Sequence, residues 1–177
     1  MLAAVGAAIT RARPAALFRF KAIDILWGIG IGLMLRVGAG ALEGVNALPF
    51  PTLGSPDPAH SVVRWSREVV PTVLVAPVIE ELFFRAVLLV AIYQLLRRSV
   101  GALAAGLTAA LVSAGAFVML HAVFTAVGFV SALELFALGI ACSATVLSTG
   151  RIWGAVLMHA SYNGCFLVIA LIGSFLS

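Results

Sequence analysis

The chain has 177 residues, 63% of them hydrophobic and 10% charged, and its formal net charge is +4. Soluble domains carry about 25% charged residues, whereas the apolar residues here run in blocks of about 20, the length of a helix that crosses a bilayer. This composition excludes a soluble globular protein and predicts an integral membrane protein, and the lack of a basic patch with interleaved aromatic residues argues against a nucleic-acid partner.

The chain begins with a short apolar run that is followed by basic residues, the reverse of a secretory signal. We interpret residues 1–21 as a retained leader that lies in the cytoplasm or at the membrane interface. Residues 22–68 are predicted to hold a first span, at about 23–42, and a proline-broken extracytoplasmic loop. The basic residues of the leader are Arg11, Arg13, Arg19 and Lys21.

Residues 69–177 form the predicted core, with four further spans at about 69–96, 101–121, 129–148 and 152–176. Because lipid offers no partner to the backbone of an open strand, the spans must be helices. We therefore predict an all-α polytopic membrane bundle of about five transmembrane helices, placed in the cell (plasma) membrane. The excess of basic residues in the leader and in the turns at 97–101 and 148–151 predicts a cytoplasmic N-terminus.

The second span carries three charges in its middle. Each charge at a bilayer centre costs about 2.5–3.5 kcal/mol on insertion scales, so their presence indicates a function. Glu81 and Arg85 are four residues apart and can pair on one helix face. Glu80 points about 100° away around the helix, which leaves its carboxylate to face another partner.

Two further spans carry polar residues at helical spacing. His121 follows Phe117 by four residues and His159 precedes Asn163 by four, so each pair shares a helix face. We therefore expect a polar cavity between spans two, three and five. Two other charges within the spans fit no catalytic spacing and are interpreted as partner charges or interfacial residues: Arg36 and Glu134.

These segments resemble the CAAX-protease and bacteriocin-processing (ABI) family of intramembrane proteases, which includes type II CAAX prenyl endopeptidase-like and lysostaphin-resistance-protein-A-like proteins. The family motifs EExxxR, FxxxH and HxxxN appear in order, at residues 80–85, 117–121 and 159–163. The resemblance covers roughly residues 70–170, without the leader and the first span. Ala86 departs from the pattern, since the family commonly has glycine after the arginine.

The resemblance implies an endopeptidase that cleaves membrane-associated or lipidated proteins or peptides without a cofactor. In that reading Glu80 is the general base that activates water, and His121 positions or shares the proton. His159 and Asn163 would stabilise the oxyanion. The supporting residues would be Glu81, Arg85 and Phe117.

Other chemistries are compatible with the same residues. A zinc site could use Glu80, His121 and His159, although the HExxH signature is missing. A serine mechanism is disfavoured because Ser113 lacks the glycine-flanked setting of a nucleophile. A catalytically silent binding or immunity protein of the same fold is a further alternative, and a proton-coupled carrier is a weaker one.

The depths of the polar residues constrain how the spans can meet. At 1.5 Å per residue, Glu80 and His121 lie about 26 and 35 Å from the turn at Arg97–Arg98. His159 lies only about 12 Å beyond the turn at 148–151. For these three residues to meet, either the hairpin of spans two and three must protrude or the helices must tilt steeply.

Overall fold

The computed structural model describes residues 16–45, 67 and 69–176, with side chains up to residue 173. In these ranges the regular elements are helices, which confirms the predicted all-α class. The predicted leader before residue 16 and most of the predicted loop at 43–68 lie outside the described residues. The helices are α1 (Ile23–Leu42), α2 (Pro71–Val75 and Leu82–Leu89 as π-helix, Ala76–Glu81 and Val90–Val100 as α-helix), α3 (Ala102–Phe124), α4 (Phe129–Thr149) and α5 (Trp153–Leu176).

Four of the helices, α1, α3, α4 and α5, are long and apolar enough to cross a bilayer. On α3, Leu103, Leu107 and Leu111 follow one another at helical spacing and are all exposed, as expected of a face that contacts lipid. Helix α2 differs because its segments are short and carry charges. The chain is therefore an integral membrane bundle in which α2 contributes two buried charged side chains, Glu81 and Arg85.

Glycines in left-handed conformations form the two tight turns of the bundle. Gly101, with φ of 83°, separates α2 from α3, and Gly150, with φ of 66°, separates α4 from α5. Residues with a Cβ rarely adopt these angles. The helix boundaries therefore fall at the two turns that the sequence predicts.

Helix α1 packs closely on α5 through a glycine pair, Gly28 and Gly32. A Cβ added at Gly28 would lie 2.5 Å from the Leu157 Cβ and 2.9 Å from the Gly154 carbonyl oxygen. Small residues four apart allow such close approach of two helices in membranes. The first span is thus fixed to the helix that carries His159.

An ion pair joins the start of α1 to the turn before α5. The Arg151 Nη2 and Asp24 Oδ1 atoms are 2.6 Å apart, and Trp153 Nε1 donates to the Phe18 carbonyl oxygen at 2.8 Å. The hydrogen bonds that Arg151 donates to the Asp24 carboxylate raise the pKa of the guanidinium above its ordinary value, so the group stays charged. These contacts place the beginning of α1 and the α4–α5 turn on the same side of the bundle.

The residues of the site lie at different distances from the ends of their helices. His159 lies six residues from the start of α5, about 9 Å along the helix, whereas Glu81 lies nineteen residues from the end of α2, up to about 28 Å. The two side chains nevertheless meet, with 3.1 Å between His159 Nδ1 and Glu81 Oε1. Helices α2 and α5 therefore converge at these residues.

Candidate active site

The predicted pair of Glu81 and Arg85 forms on α2. Glu81 Oε1 lies 3.1 Å from Arg85 Nη1, and both side chains are completely buried. Arg85 Nη2 also donates to the Gly139 carbonyl oxygen on α4 at 3.1 Å, and the guanidinium lies 5.1 Å from the Phe117 ring centre on α3. One buried arginine therefore contacts three helices.

Gly139 allows this approach of α4. An added Cβ would lie 2.9 Å from the Ala114 Cβ and 3.5 Å from Arg85 Nη2. Because a larger residue would push α4 away, the hydrogen bond from Arg85 depends on this glycine. The sequence analysis did not identify Gly139; a small residue facing another small residue on a neighbouring helix is the signal that would have found it.

Arg85 lies within the π-helical segment of α2. Such segments are rare and are frequent at functional sites. Within this one, the Phe84 carbonyl oxygen accepts a hydrogen bond from Ser113 Oγ of α3 at 2.9 Å. Ser113 is completely buried and holds α3 against α2, a contact that gives it a structural role.

His159 of α5 lies between the two glutamates of α2. Its Nδ1 is 3.1 Å from Glu81 Oε1 and its Nε2 is 3.8 Å from Glu80 Oε2. The imidazole is almost fully buried, with 2% of the residue exposed. The sequence placed His159 in the cavity but did not predict that it contacts Glu81, because this contact joins residues far apart in the chain.

The two glutamates differ in exposure and in their partners. Glu81 is completely buried and is held by Arg85 and His159, whereas 18% of the Glu80 side chain is exposed. Among the described residues, the Glu80 Oε2 atom has no hydrogen-bond partner. Of the two carboxylates, Glu80 is therefore the one that a water molecule or a substrate can approach.

His121 and Phe117 of α3 complete the cluster. The His121 Nδ1 is 2.9 Å from the Phe117 carbonyl oxygen, which can only accept, so Nδ1 must carry the proton. In a neutral ring the Nε2 atom is then left as an acceptor. The Phe117 ring centre is 4.5 Å from that of His121 and 5.4 Å from that of His159, so Phe117 contacts both imidazoles.

Asn163 reaches the first turn of α2. Its Nδ2 donates to the Thr72 carbonyl oxygen at 3.1 Å. In this π-helical turn the Ala76 N–H donates to the Pro71 carbonyl oxygen, five residues earlier. By the same spacing, the Thr72 carbonyl oxygen would accept a hydrogen bond from the backbone nitrogen of Pro77. Proline has no N–H, and Asn163 supplies the missing hydrogen bond. The amide keeps a second N–H for another acceptor.

Most of the predicted site residues therefore meet at one place in the bundle. Glu80, Glu81, Arg85, Phe117 and His159 are connected by direct contacts, and His121 joins them through Phe117. Asn163 lies one turn beyond His159 and contacts the start of α2 instead. In the described part of the chain, no three His, Cys, Asp or Glu side chains are grouped as metal ligands. The zinc alternative stays a prediction for experiment.

Comparison with known proteins adds an independent observation. A family model described as "Type II CAAX prenyl endopeptidase Rce1-like" matches residues 64–165, more than half of the chain. The matched range contains every residue of the candidate site and leaves α1 outside. No curated protein and no solved structure matches the chain at the threshold applied.

Proposed function

Because the chain belongs to the Type II CAAX prenyl endopeptidase Rce1-like family, a family of proteases, we propose that it is an intramembrane endopeptidase that hydrolyses peptide bonds with activated water. The observation that carries this proposal is the Glu80 carboxylate. It is partly exposed, and its Oε2 atom lies 3.8 Å from His159 Nε2 and has no hydrogen-bond partner in the part of the chain that the structure describes. A carboxylate in this setting can accept a proton from water.

In the proposed mechanism Glu80 removes a proton from the attacking water, as a general base. His121 assists through Nε2, the acceptor that its bond to Phe117 leaves free. The proton then passes to the leaving amine, and the peptide bond breaks. This division of roles agrees with the exposure of Glu80 and the complete burial of Glu81.

His159 is proposed to stabilise the oxyanion that forms when water attacks the carbonyl carbon. Its Nδ1 faces the Glu81 carboxylate, and its Nε2 lies on the side of Glu80, where the attacking water is proposed to be activated. One well-placed oxyanion donor lowers a barrier by about 2.7–4 kcal/mol. Asn163 could contribute its second N–H.

We propose that membrane-associated or lipidated proteins or peptides are the substrates, as the family description indicates. Helix α2 begins at the exposed residues Val70 and Leu74, and the candidate site lies within the bundle beside them. A substrate that is already held in the bilayer would approach such a site without leaving lipid. A lipid group on the peptide would therefore bind it to the membrane and raise its concentration near the site.

We further propose that the chain lies in the plasma membrane and that its basic turns face the cytoplasm. Gly106, near the α2–α3 turn, lies beside Leu147 near the end of α4, and Arg151 pairs with Asp24 at the start of α1. Arg97, Arg98 and Arg151 are thus on one side of the bundle. Basic residues are enriched on cytoplasmic sides.

The test is a cleavage assay with the purified chain in lipid vesicles. One peptide is offered with and without a C-terminal prenyl group, and the products are identified by mass spectrometry. We expect cleavage of the prenylated peptide, and a loss of about 10²–10⁴-fold in Glu80→Gln. Glu43→Gln, the matched control just after the end of α1, should keep full activity. Absence of cleavage by the wild type would favour the catalytically silent alternative.

A further inference from the structure

A second polar cluster joins α1, α4 and α5 outside the candidate active site. Arg36 Nη1 donates to the Tyr162 hydroxyl at 3.4 Å, and that hydroxyl donates to Glu134 Oε2 at 3.4 Å. Arg36 also pairs with Glu43, with 3.3 Å between Nη2 and Oε2. Arg36 and Glu134, which the sequence suggested as partner charges, are thus connected through a tyrosine that the sequence analysis did not identify.

A cavity of about 440 Å³ adjoins this cluster. Its walls come from α1, α4 and α5, and its volume lies within the range of small-molecule sites, roughly 300–1,000 Å³. Most of the described lining is apolar, and Glu134 and Tyr162 form its polar end. The apolar part includes Gly38, Leu42, Leu133 and Ala137.

Among the described residues, the cluster beside the cavity has more negative than positive groups. Glu134, which lines the cavity, and Glu43 each contribute a carboxylate, and Arg36 contributes one guanidinium. Glu134 is 8% exposed, and its Oε1 atom has no hydrogen-bond partner among the described residues. A positively charged group with N–H donors would therefore complement this end of the cavity.

The cluster lies close to one edge of the bundle. Arg36 is six residues before the end of α1, and Glu134 is five residues after the start of α4, so both lie within about 9 Å of those helix ends. Helices of this length span about the thickness of the hydrocarbon layer, so lipid headgroups lie just beyond these helix ends and lipid chains lie along the helices. The position therefore suits an amphiphile with its headgroup toward the edge.

We propose that this cavity binds a lipid whose headgroup carries a primary ammonium. The ammonium donates to the Glu134 carboxylate, and part of an acyl chain lies against the apolar walls from α1 and α4. The site is separate from the catalytic cluster, so its occupation does not depend on hydrolysis. Phosphatidylethanolamine is the natural probe of this chemistry, and phosphatidylcholine is the matched lipid without N–H donors.

Two glycines of α1 provide a matched pair of variants. A Cβ added at Gly38, which lines the cavity, meets no atom of the described residues within 4 Å, so Gly38→Leu can fill the space without a clash with them at its base. A Cβ added at Gly30 also meets nothing within 4 Å, and Gly30 is not among the residues that line the cavity. Both changes replace glycine by a better helix former.

The experiment is a lipid titration of the full chain in detergent, followed by native mass spectrometry. We expect phosphatidylethanolamine to bind at least about tenfold more tightly than phosphatidylcholine or phosphatidylglycerol, a factor typical of one hydrogen bond to a charged group. Gly38→Leu and Glu134→Gln should lose this preference, and Gly30→Leu should retain it. Equal affinities for the three lipids in the wild type, or an unchanged preference in Gly38→Leu, would overturn the proposal.

Discussion

Replacement of Arg85 tests how the buried charges support the bundle. In Arg85→Met, Glu81 keeps His159 as a partner but loses the guanidinium 3.1 Å away, in a completely buried setting. Breaking such a pair from one side costs about 3–5 kcal/mol in soluble proteins. Since 1 kcal/mol shifts Tm by about 2–4 °C for a protein of this length, we expect Tm to fall by about 6–20 °C.

Thermal unfolding of the purified protein in detergent, followed by intrinsic fluorescence, measures the change. Arg98→Met is the matched control, because Arg98 lies on the same helix and is exposed. The double variant Glu81→Gln with Arg85→Met should recover part of the loss, since removal of both charges leaves no unpaired ion. A wild-type Tm in Arg85→Met, with activity alone abolished, would refute a structural role for the pair.

Three further predictions concern the neighbouring contacts. Asn163→Leu should lower stability by about 1–3 kcal/mol because the Thr72 carbonyl loses its donor, and Pro77→Ala, which restores an N–H, should reverse part of that loss; no reversal would argue against the capping role. Gly139→Ala should destabilise the protein by about 1–3 kcal/mol through overpacking, while Gly115→Ala, whose Cβ meets nothing within 4 Å, should not; equal melting temperatures would contradict this. A strong chelator should leave cleavage unchanged, whereas one zinc per active chain, lost together with activity, would establish the zinc alternative.

Local spacing in the sequence predicted the contacts that lie within one helix. Glu81 and Arg85 are four residues apart, and helix geometry alone brings them together. The five helices were also predictable, because apolar blocks of span length were separated by glycine turns at Gly101 and Gly150. Each of these features depends on one continuous stretch of the chain and not on how the helices pack against each other.

Contacts between helices were harder to predict from the sequence. That His159 contacts Glu81 depends on how far α5 is shifted along α2, which no local pattern specifies. The bond from Asn163 to Thr72 depends on a π-helical register next to Pro77. The close packing of α1 on α5 did leave a signal, the small residues Gly28 and Gly32 four apart, which a search for that motif would have found.

The central claim is that Glu80 and His121 act together on one water molecule, and a double-variant cleavage assay tests it most directly. The quantity measured is kcat/KM for a prenylated peptide in wild type, Glu80→Gln, His121→Gln and the double variant. We predict that each single change lowers kcat/KM by at least about 10²-fold and that the double variant is hardly worse, because residues of one catalytic unit are not additive. Wild-type activity in Glu80→Gln, or losses that multiply in the double variant, would contradict the account.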